Sequence, residues 1–233
     1  MTPTTFTDQQ LLEAVPLRHS VRAYHDRPIE PEKAEALQAL VEWCNTEGDL
    51  NLALYLNEPR AFSSPMARYG QFRNANNYFA IVGKKAPDFD ERAGYYGERL
   101  VLAAQSLGLN TCWVGLSYSK RRSAVTLAPG EHLRAVISLG YGADEGRHHK
   151  IKTVEKVSRV KGEAPEWFVR GVECALLAPT AINQQKFTFI LHDDDVVEAR
   201  AGIGFYSRVD LGIVKLHFEL AAAPHPFTWL DRQ

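Results

Sequence analysis

Two apolar runs constrain the architecture. Residues 78–83 (YFAIVG) and 133–142 (LRAVISLGYG) read as buried strands, the second ending at glycines. Between them lies the longest helix candidate, residues 90–107. Tyr96, Leu100, Ala103 and Leu107 share one of its faces, and Gly108 stands at its C-terminal cap. Ala103 and Ala104 would let another helix approach closely. These elements predict an α+β protein, with helices packed on one or more mixed sheets rather than on a doubly wound sheet.

The flanking sequence extends this reading. Residues 8–16 form a short apolar-rich turn or helix. Glu30 or Pro31 opens a helix in which Leu37, Leu40, Val41 and Cys44 fall at i, i+3, i+4 and i+7, and Gly48 ends it. Residues 46–76, with Pro59, Ser63, Ser64, Pro65 and Gly70, read as irregular. A connection that long is expected to be functional or pinned by a ligand. Residues 110–116 (NTCWVGL) follow as a strand or turn, and residues 154–164 as a polar connector. Pro165 starts a helix whose buried face holds Phe168, Val172, Ala175 and Leu176; Pro179 terminates it. Residues 187–192 (FTFILH) read as a strand, and Asp193-Asp194-Asp195 as a turn capping the next helix. Residues 204–220 contain that helix, with Leu211, Val214 and Phe218 on one face, and residues 227–230 form a short C-terminal strand.

Composition removes several classes of function. With 233 residues, 45% of them hydrophobic, the chain can bury a substantial core as one large domain or two packed halves. A net charge of −1 with mixed signs gives no basic field for nucleic acid. No apolar run is long enough to span a membrane, and the polar residues 1–10 lack a signal-peptide layout. Cys44, Cys112 and Cys174 are widely spaced and odd in number, which argues against a disulfide framework and for a reducing, cytoplasmic setting. His148 and His149 point apart and lack spaced partners, so no metal is expected.

The chemistry-bearing stretch is Arg18-His19-Ser20-Val21-Arg22-Ala23-Tyr24. Extended, it points Arg18, Ser20 and Arg22 to one side. Two permanent guanidinium forks with a hydroxyl between them suit an anionic, elongated ligand. The same spacing also serves a surface segment with ordinary ion pairs. Lys150 and Lys152 likewise share a side if extended.

Two blocks look like distant echoes. A helix with Val41-Glu42 is matched by one with Val172-Glu173, and one introduced by Gly94-Tyr95-Tyr96 by one introduced by Gly204-Phe205-Tyr206. An apolar strand lies between each pair. Only the first block carries the arginine row, and only the second a Pro-Thr-x-x-Asn-x-Gln loop. That asymmetry is expected if two halves, residues 1–160 and 161–233, jointly build one site.

The residues also resemble a family. Arg18-His19-Ser20-x-Arg22-x-Tyr24 resembles the N-terminal R-x-S-x-[RK]-x-[FY] motif of FMN-dependent nitroreductases. Residues 178–185 (APTAINQQ) resemble their A-P-S-x-x-N-x-Q-P-W loop. Gly108-Leu109-x-x-x-Trp113-Val114-Gly115, Ser138-Leu139-Gly140-Tyr141-Gly142 and Lys150-x-Lys152 resemble later landmarks, so the match covers most of the chain. In ordinary members the A-P-S-x-x-N loop follows the first helix, and two subunits share each flavin. Here it comes about 130 residues later. This is similar to the branch of nitroreductases in which one chain imitates the usual dimer through a degenerate duplication. A second departure is Lys186-Phe187 in place of Pro-Trp.

The resemblance implies roles. Arg18 and Ser20 would hold the FMN phosphate together with Lys150 and Lys152, and His19 would either donate there or be structural. Arg22 would stand beside the flavin pyrimidine edge. Pro179, Thr180, Asn183 and Gln185 would form the loop whose hydroxyl and amides meet the ring edge and ribityl hydroxyls. Trp113, Val114 and Gly115 would lie near the isoalloxazine, with core packing the alternative for Trp113. The implied activity is hydride transfer from transient NAD(P)H to bound FMN, then reduction of a small nitroaromatic or quinone-like acceptor, with no dedicated catalytic side chain. A flavin carrier or sensor, or another flavin reaction on the same fold, are the competing readings. A single-chain duplication predicts a monomer or a weak homodimer.

Overall fold

Leu37, Leu40, Val41 and Cys44 are all buried along one face of α2 (Pro31–Gly48), as their helical spacing predicts. Pro31 lies in the first turn, where a missing N–H is harmless, and Asp49 ends the helix in a left-handed conformation. The computed structural model describes residues 6–230; the first five residues of the polar N-terminal stretch lie outside them.

The chain divides into two compact units. One holds the chain up to Phe89 together with Arg99–His148; the other holds Asp90–Glu98 together with the chain from His149 onward. Residues 149–160 thus group with the second unit.

The first unit contains α1 (Asp8–Ala14), α2, β1 (Ala53–Tyr55), α3 (Pro65–Tyr69), β2 (Asn77–Lys84), the later turns of α4 (Phe89–Ser106), β3 (Asn110–Val114) and β4 (Glu131–Gly140). Its antiparallel sheet has the order β1-β2-β4-β3. The two predicted runs are its central pair, with Phe79 opposite Ile137. Tyr78, Ala80 and Val82 pack on one side with Tyr24, Phe62, Phe72, Cys112 and Val136. Phe79 and Ile81 point the other way and are also buried, so β2 reads as continuously apolar rather than alternating.

The second unit contains the first turns of α4, α5 (Val154–Val157), β5 (Ser158–Arg159), α6 (Glu166–Leu176), β6 (Phe187–Leu191), β7 (Val196–Ala201), α7 (Ser207–Ala222) and β8 (Thr228–Trp229). Its sheet, β5-β6-β7-β8, is mixed: β6 and β7 are antiparallel, while both edge strands pair in parallel. The core is aromatic. Phe218 stacks on Phe189 at 4.7 Å between ring centroids, with Phe168 at 5.6 Å and Phe227 at 5.3 Å. A Cβ on Gly171 would lie 2.7 Å from the Phe218 ring, so only glycine admits that ring against α6. Helices α4 and α7 cross within this unit at Gly94 and Gly212. A Cβ on Gly212 would sit 1.8 Å from the Glu91 carbonyl oxygen, and one on Gly94 2.0 Å from that of Val209. Beside the crossing, His217 Nε2 lies 3.0 Å from Glu98 Oε1, both side chains fully buried.

Three local expectations are corrected. Asp193–Asp195 leads into strand β7, not a helix. Asp194 and Asp195 have φ of 58° and 54°, and His192 N–H donates to the Val196 carbonyl at 2.8 Å, closing a β6–β7 hairpin. Aspartate tolerates both an N-cap and a left-handed turn, and here the turn prevails. The stretch 46–76, expected to be irregular, contains β1 and α3 and is tied down in part by Glu58. Glu58 accepts from the Arg60 and Ala61 amides at 3.1 and 3.3 Å, from Arg60 Nε at 2.7 Å and from the Tyr78 hydroxyl at 2.8 Å. Burial pushes the Glu58 carboxyl up, but these donors together hold it below its ordinary value. The connector 154–164 includes α5 and the edge strand β5.

All three cysteines are buried free thiols. Burial pushes Cys44 and Cys174 up to about 12. Among the described residues no helix is long and apolar enough to cross a membrane.

Candidate functional site

In the first unit the arginine segment is an extended strap rather than a regular strand. A 3-10 turn, Val15–Leu17, delivers it, and Arg18 already has extended dihedrals. Isolated bridges then fix it: Ser20 to Thr111, Ala23 to Arg73 and Tyr24 to Gly142. The Val21 N–H donates to the Thr111 carbonyl at 3.0 Å, and the Arg73 N–H to the Arg22 carbonyl at 3.0 Å. Tyr24 anchors the end, its hydroxyl 2.6 Å from the Val21 carbonyl and 2.7 Å from Ser138 Oγ, with burial raising it well above the usual phenol value.

Burial pushes the Cys112 thiol up, while Arg22, a hydrogen bond shared with Ser20, and Arg18 all pull it down. Ser20 meets the Cys112 side chain, and the two arginines act on it through charge alone. They differ in depth: Arg18 is 4% exposed, whereas Arg22 is exposed to solvent. His19 meets His148 edge to face at 4.4 Å. The loop carrying His148 lies against the strap at Gly146, where φ is +74° and a Cβ would sit 2.7 Å from His19 Cβ and 3.2 Å from the Ser20 carbonyl. That position needs glycine for both conformation and space. Trp113, Val114 and Gly115 continue the strand that Ser20 bridges; Val114 is buried, and Trp113 and Gly115 are half-buried.

In the second unit the loop after α6 is held in an unusual shape. Ile182, Asn183 and Gln185 have φ of 49°, 54° and 45°. For a β-branched residue such as Ile182 this is a true outlier, and such conformations persist only where the surroundings enforce them. Two clamps enforce them. On one side Asn183 Nδ2 and Gln185 Nε2 donate to the Lys150 carbonyl at 2.9 and 2.7 Å. Gln185 Nε2 also donates to Asn183 Oδ1 at 2.8 Å, and the Lys152 amide donates to Gln185 Oε1 at 2.9 Å. The Lys152 ammonium donates to the Gln184 and Gln185 carbonyls at 3.0 and 2.7 Å. Thr180 Oγ1 accepts the Gln185 amide at 3.1 Å. On the other side Asp210, buried in the first turn of α7, accepts the Ala181 amide at 2.9 Å and Gln184 Nε2 at 2.7 Å. Burial pushes Asp210 up to about 6 against the pull of these two donors.

The site residues expected from sequence thus divide into two sets. Arg18, His19, Ser20, Arg22, Trp113, Val114 and Gly115 gather in the first unit. Lys150, Lys152, Pro179, Thr180, Asn183 and Gln185 gather in the second. Within the second set, the side chains of Gln185 and Lys152 are engaged with the loop backbone and with Asn183, while Asn183 and Lys150 are exposed. Lys186, which departs from the family motif, donates to the Ile203 carbonyl at 2.9 Å and ties the loop to residues 202–206. Sequence reasoning missed Gln184 and Asp210. The available signal was an acid set directly between the apolar residues Val209 and Leu211.

A family model described as "Putative TM nitroreductase" matches residues 10–222. Among solved structures, the chain is similar to a "putative nitroreductase" from Thermotoga maritima, at 22% identity and a TM-score of 0.60, covering 91% of this chain and 82% of that one. It is also similar to a "Putative NADH dehydrogenase/NAD(P)H nitroreductase" from Parabacteroides distasonis, at 21% identity and a TM-score of 0.50, covering 64% and 96%. A "putative nitroreductase in complex with FMN" from Desulfovibrio desulfuricans matches at 21% identity and a TM-score of 0.49, covering 66% and 96%. At such identities the likeness to the first two shows the fold alone. No curated protein matches the chain.

Proposed function

The chain belongs to the nitroreductase family, and we propose that it binds FMN and uses it to pass hydride equivalents from NAD(P)H to a small nitroaromatic or quinone-like acceptor. Family membership supports an oxidoreductase. The observation that carries the flavin assignment is the extended strap Arg18–Tyr24, held by bridges to Thr111, Arg73 and Gly142. It sets Arg18, Ser20 and Arg22 at alternate positions of a backbone fixed by its own bridges.

The donor set fits a flavin mononucleotide. Arg18 and Ser20 supply charge-assisted donors for a phosphate, with His19 and His148 beside them. Asn183 is exposed and keeps a second amide hydrogen and a second lone pair beyond its bonds to Lys150 and Gln185. That pairing of donor with acceptor matches a flavin ring edge. When bound, FMN supplies the hydride chemistry itself. Arg18 and Ser20 hold the anion, Arg22 offers a cation that favours negative charge nearby, and Trp113 offers an aromatic face. Gln185 and Lys152 serve by shaping the loop, and no side chain is assigned as acid or base.

We further propose that the two units descend from one duplicated helix–strand–helix block. The echo strands β2 and β6 each stand second in a four-stranded sheet and each pair antiparallel with the third strand, which supports this reading.

The test is an absorption spectrum of the purified protein followed by anaerobic titration with NADH and with NADPH. The expected result is a yellow protein that bleaches rapidly with one or both. A colourless protein that FMN does not stabilise against heat refutes the assignment. A yellow protein that neither nicotinamide bleaches makes it a flavin carrier or sensor.

A further inference from the structure

We propose that Asp210 is a positioning residue for the flavin, acting through the 181–185 loop: its carboxylate holds the loop in the left-handed shape that presents Asn183. This rests on the flavin reading above and assigns a role to a residue outside the family's motifs.

Asp210 is the only acid on α7 whose two carboxylate oxygens are both engaged with this loop among the described residues. Oδ1 takes the Ala181 amide, immediately before the first left-handed residue; Oδ2 takes the Gln184 side chain, between the second and the third. The grip therefore brackets the strained residues. Gln184 Nε2 also donates to the Phe205 carbonyl at 2.8 Å, so the same amide joins the 202–206 turn to the loop. A Cβ on Gly204 would fall 2.3 Å from Gln184 Oε1, which leaves the amide little room to turn.

The charge type matters as well as the shape. Both groups facing Asp210 are N–H donors, and only a carboxylate accepts from both. An asparagine in the same place matches one donor and opposes the other with its own NH2. The helix would keep its packing while the loop lost one anchor. Burying an ionised carboxylate is costly, so this acid is poorly explained as a contribution to stability alone.

The experiment compares wild type with Asp210→Asn, Gln184→Ala and the double variant. FMN affinity is read by quenching of flavin fluorescence, backbone exchange of peptides covering 178–186 by mass spectrometry, and thermal unfolding of the FMN-free protein in parallel. Asp210→Asn is expected to weaken FMN about tenfold and speed exchange in the loop about tenfold, with the unfolding temperature unchanged or raised. Gln184→Ala should do the same, and the double variant should be no weaker than either single one, because both remove one contact. Wild-type affinity and exchange in Asp210→Asn overturn the proposal, as do losses that simply multiply in the double variant. If wild type binds no FMN, the flavin reading falls, and the exchange arm still decides whether Asp210 holds the loop.

Discussion

Replacing Gly212 with alanine tests the α4–α7 crossing. The new Cβ would stand 1.8 Å from the Glu91 carbonyl oxygen and 2.7 Å from the Tyr95 nitrogen, both backbone atoms that no rotamer change can move. Ordinary carbon contacts begin near ~3.5 Å, so the helices must separate by about 1.7 Å. Separation on that scale breaks the Lys215–Glu91 ion pair, now 2.7 Å, and the buried His217–Glu98 contact, now 3.0 Å. Overpacking alone costs roughly 1–3 kcal/mol, and losing a buried hydrogen bond roughly 1–3 kcal/mol. The better helix propensity of alanine returns only about 1 kcal/mol. The net expectation is a loss of about 3 kcal/mol, a fall of roughly 6–12 °C in unfolding temperature for a chain of this size. Urea unfolding followed by circular dichroism, with calorimetry, reads both quantities. A Gly212→Ala protein within about 1 kcal/mol of wild type would refute this account of the crossing.

Further outcomes follow from other positions. Phe218→Ala, which empties the centre of the aromatic cluster, should cost about 3–5 kcal/mol in the same urea assay. Arg18→Ala and Asn183→Ala should each weaken FMN about tenfold or more in a fluorescence titration, whereas Arg170→Ala, an exposed ion-pair residue on α6, should leave affinity unchanged. The buried Asp210 carboxyl lies at about 6 in the folded chain against an ordinary 3.8. The folded state therefore binds more protons, so its contribution to stability is full below about pH 4 and is lost as pH rises through about 6. At about 1.4 kcal/mol per pH unit the change is about 3 kcal/mol. The difference in stability between Asp210→Asn and wild type should grow by that amount between pH 3 and 7, and a flat difference would contradict it.

What could be read from the chain and what could not divide along physical lines. The spacing of Leu37, Leu40, Val41 and Cys44 carries α2 because a long helix repeats its signal. The uninterrupted apolar character of residues 78–83 carries β2 because both of its faces are covered. By contrast, Ala53–Tyr55 and Ser158–Arg159 are edge strands of two or three residues, too short to display alternation, whereas the short strand at Thr228–Trp229 falls within the expected residues 227–230. The aspartates at 193–195 satisfy two local rules, and only pairing between β6 and β7 selects one. At the site, motif and side-chain chemistry single out Asn183 and Arg18 as candidates. The contacts of Gln185 with Lys150 and Lys152 cross about thirty residues, and Asp210 meets Gln184 twenty-six positions away. No local pattern encodes such partnerships.

The deep placement of Cys44, Cys112 and Cys174 has a practical outcome. Thiols so reluctant to ionise react sluggishly with maleimides, so the natural cysteines need not be removed before labelling. A single cysteine placed at Ile203, which is 97% exposed, would then be the dominant attachment point for a dye. Lys186 and Gln184 tie that turn to the 181–185 segment. Fluorescence from such a dye would report, in real time, how the segment responds when flavin arrives.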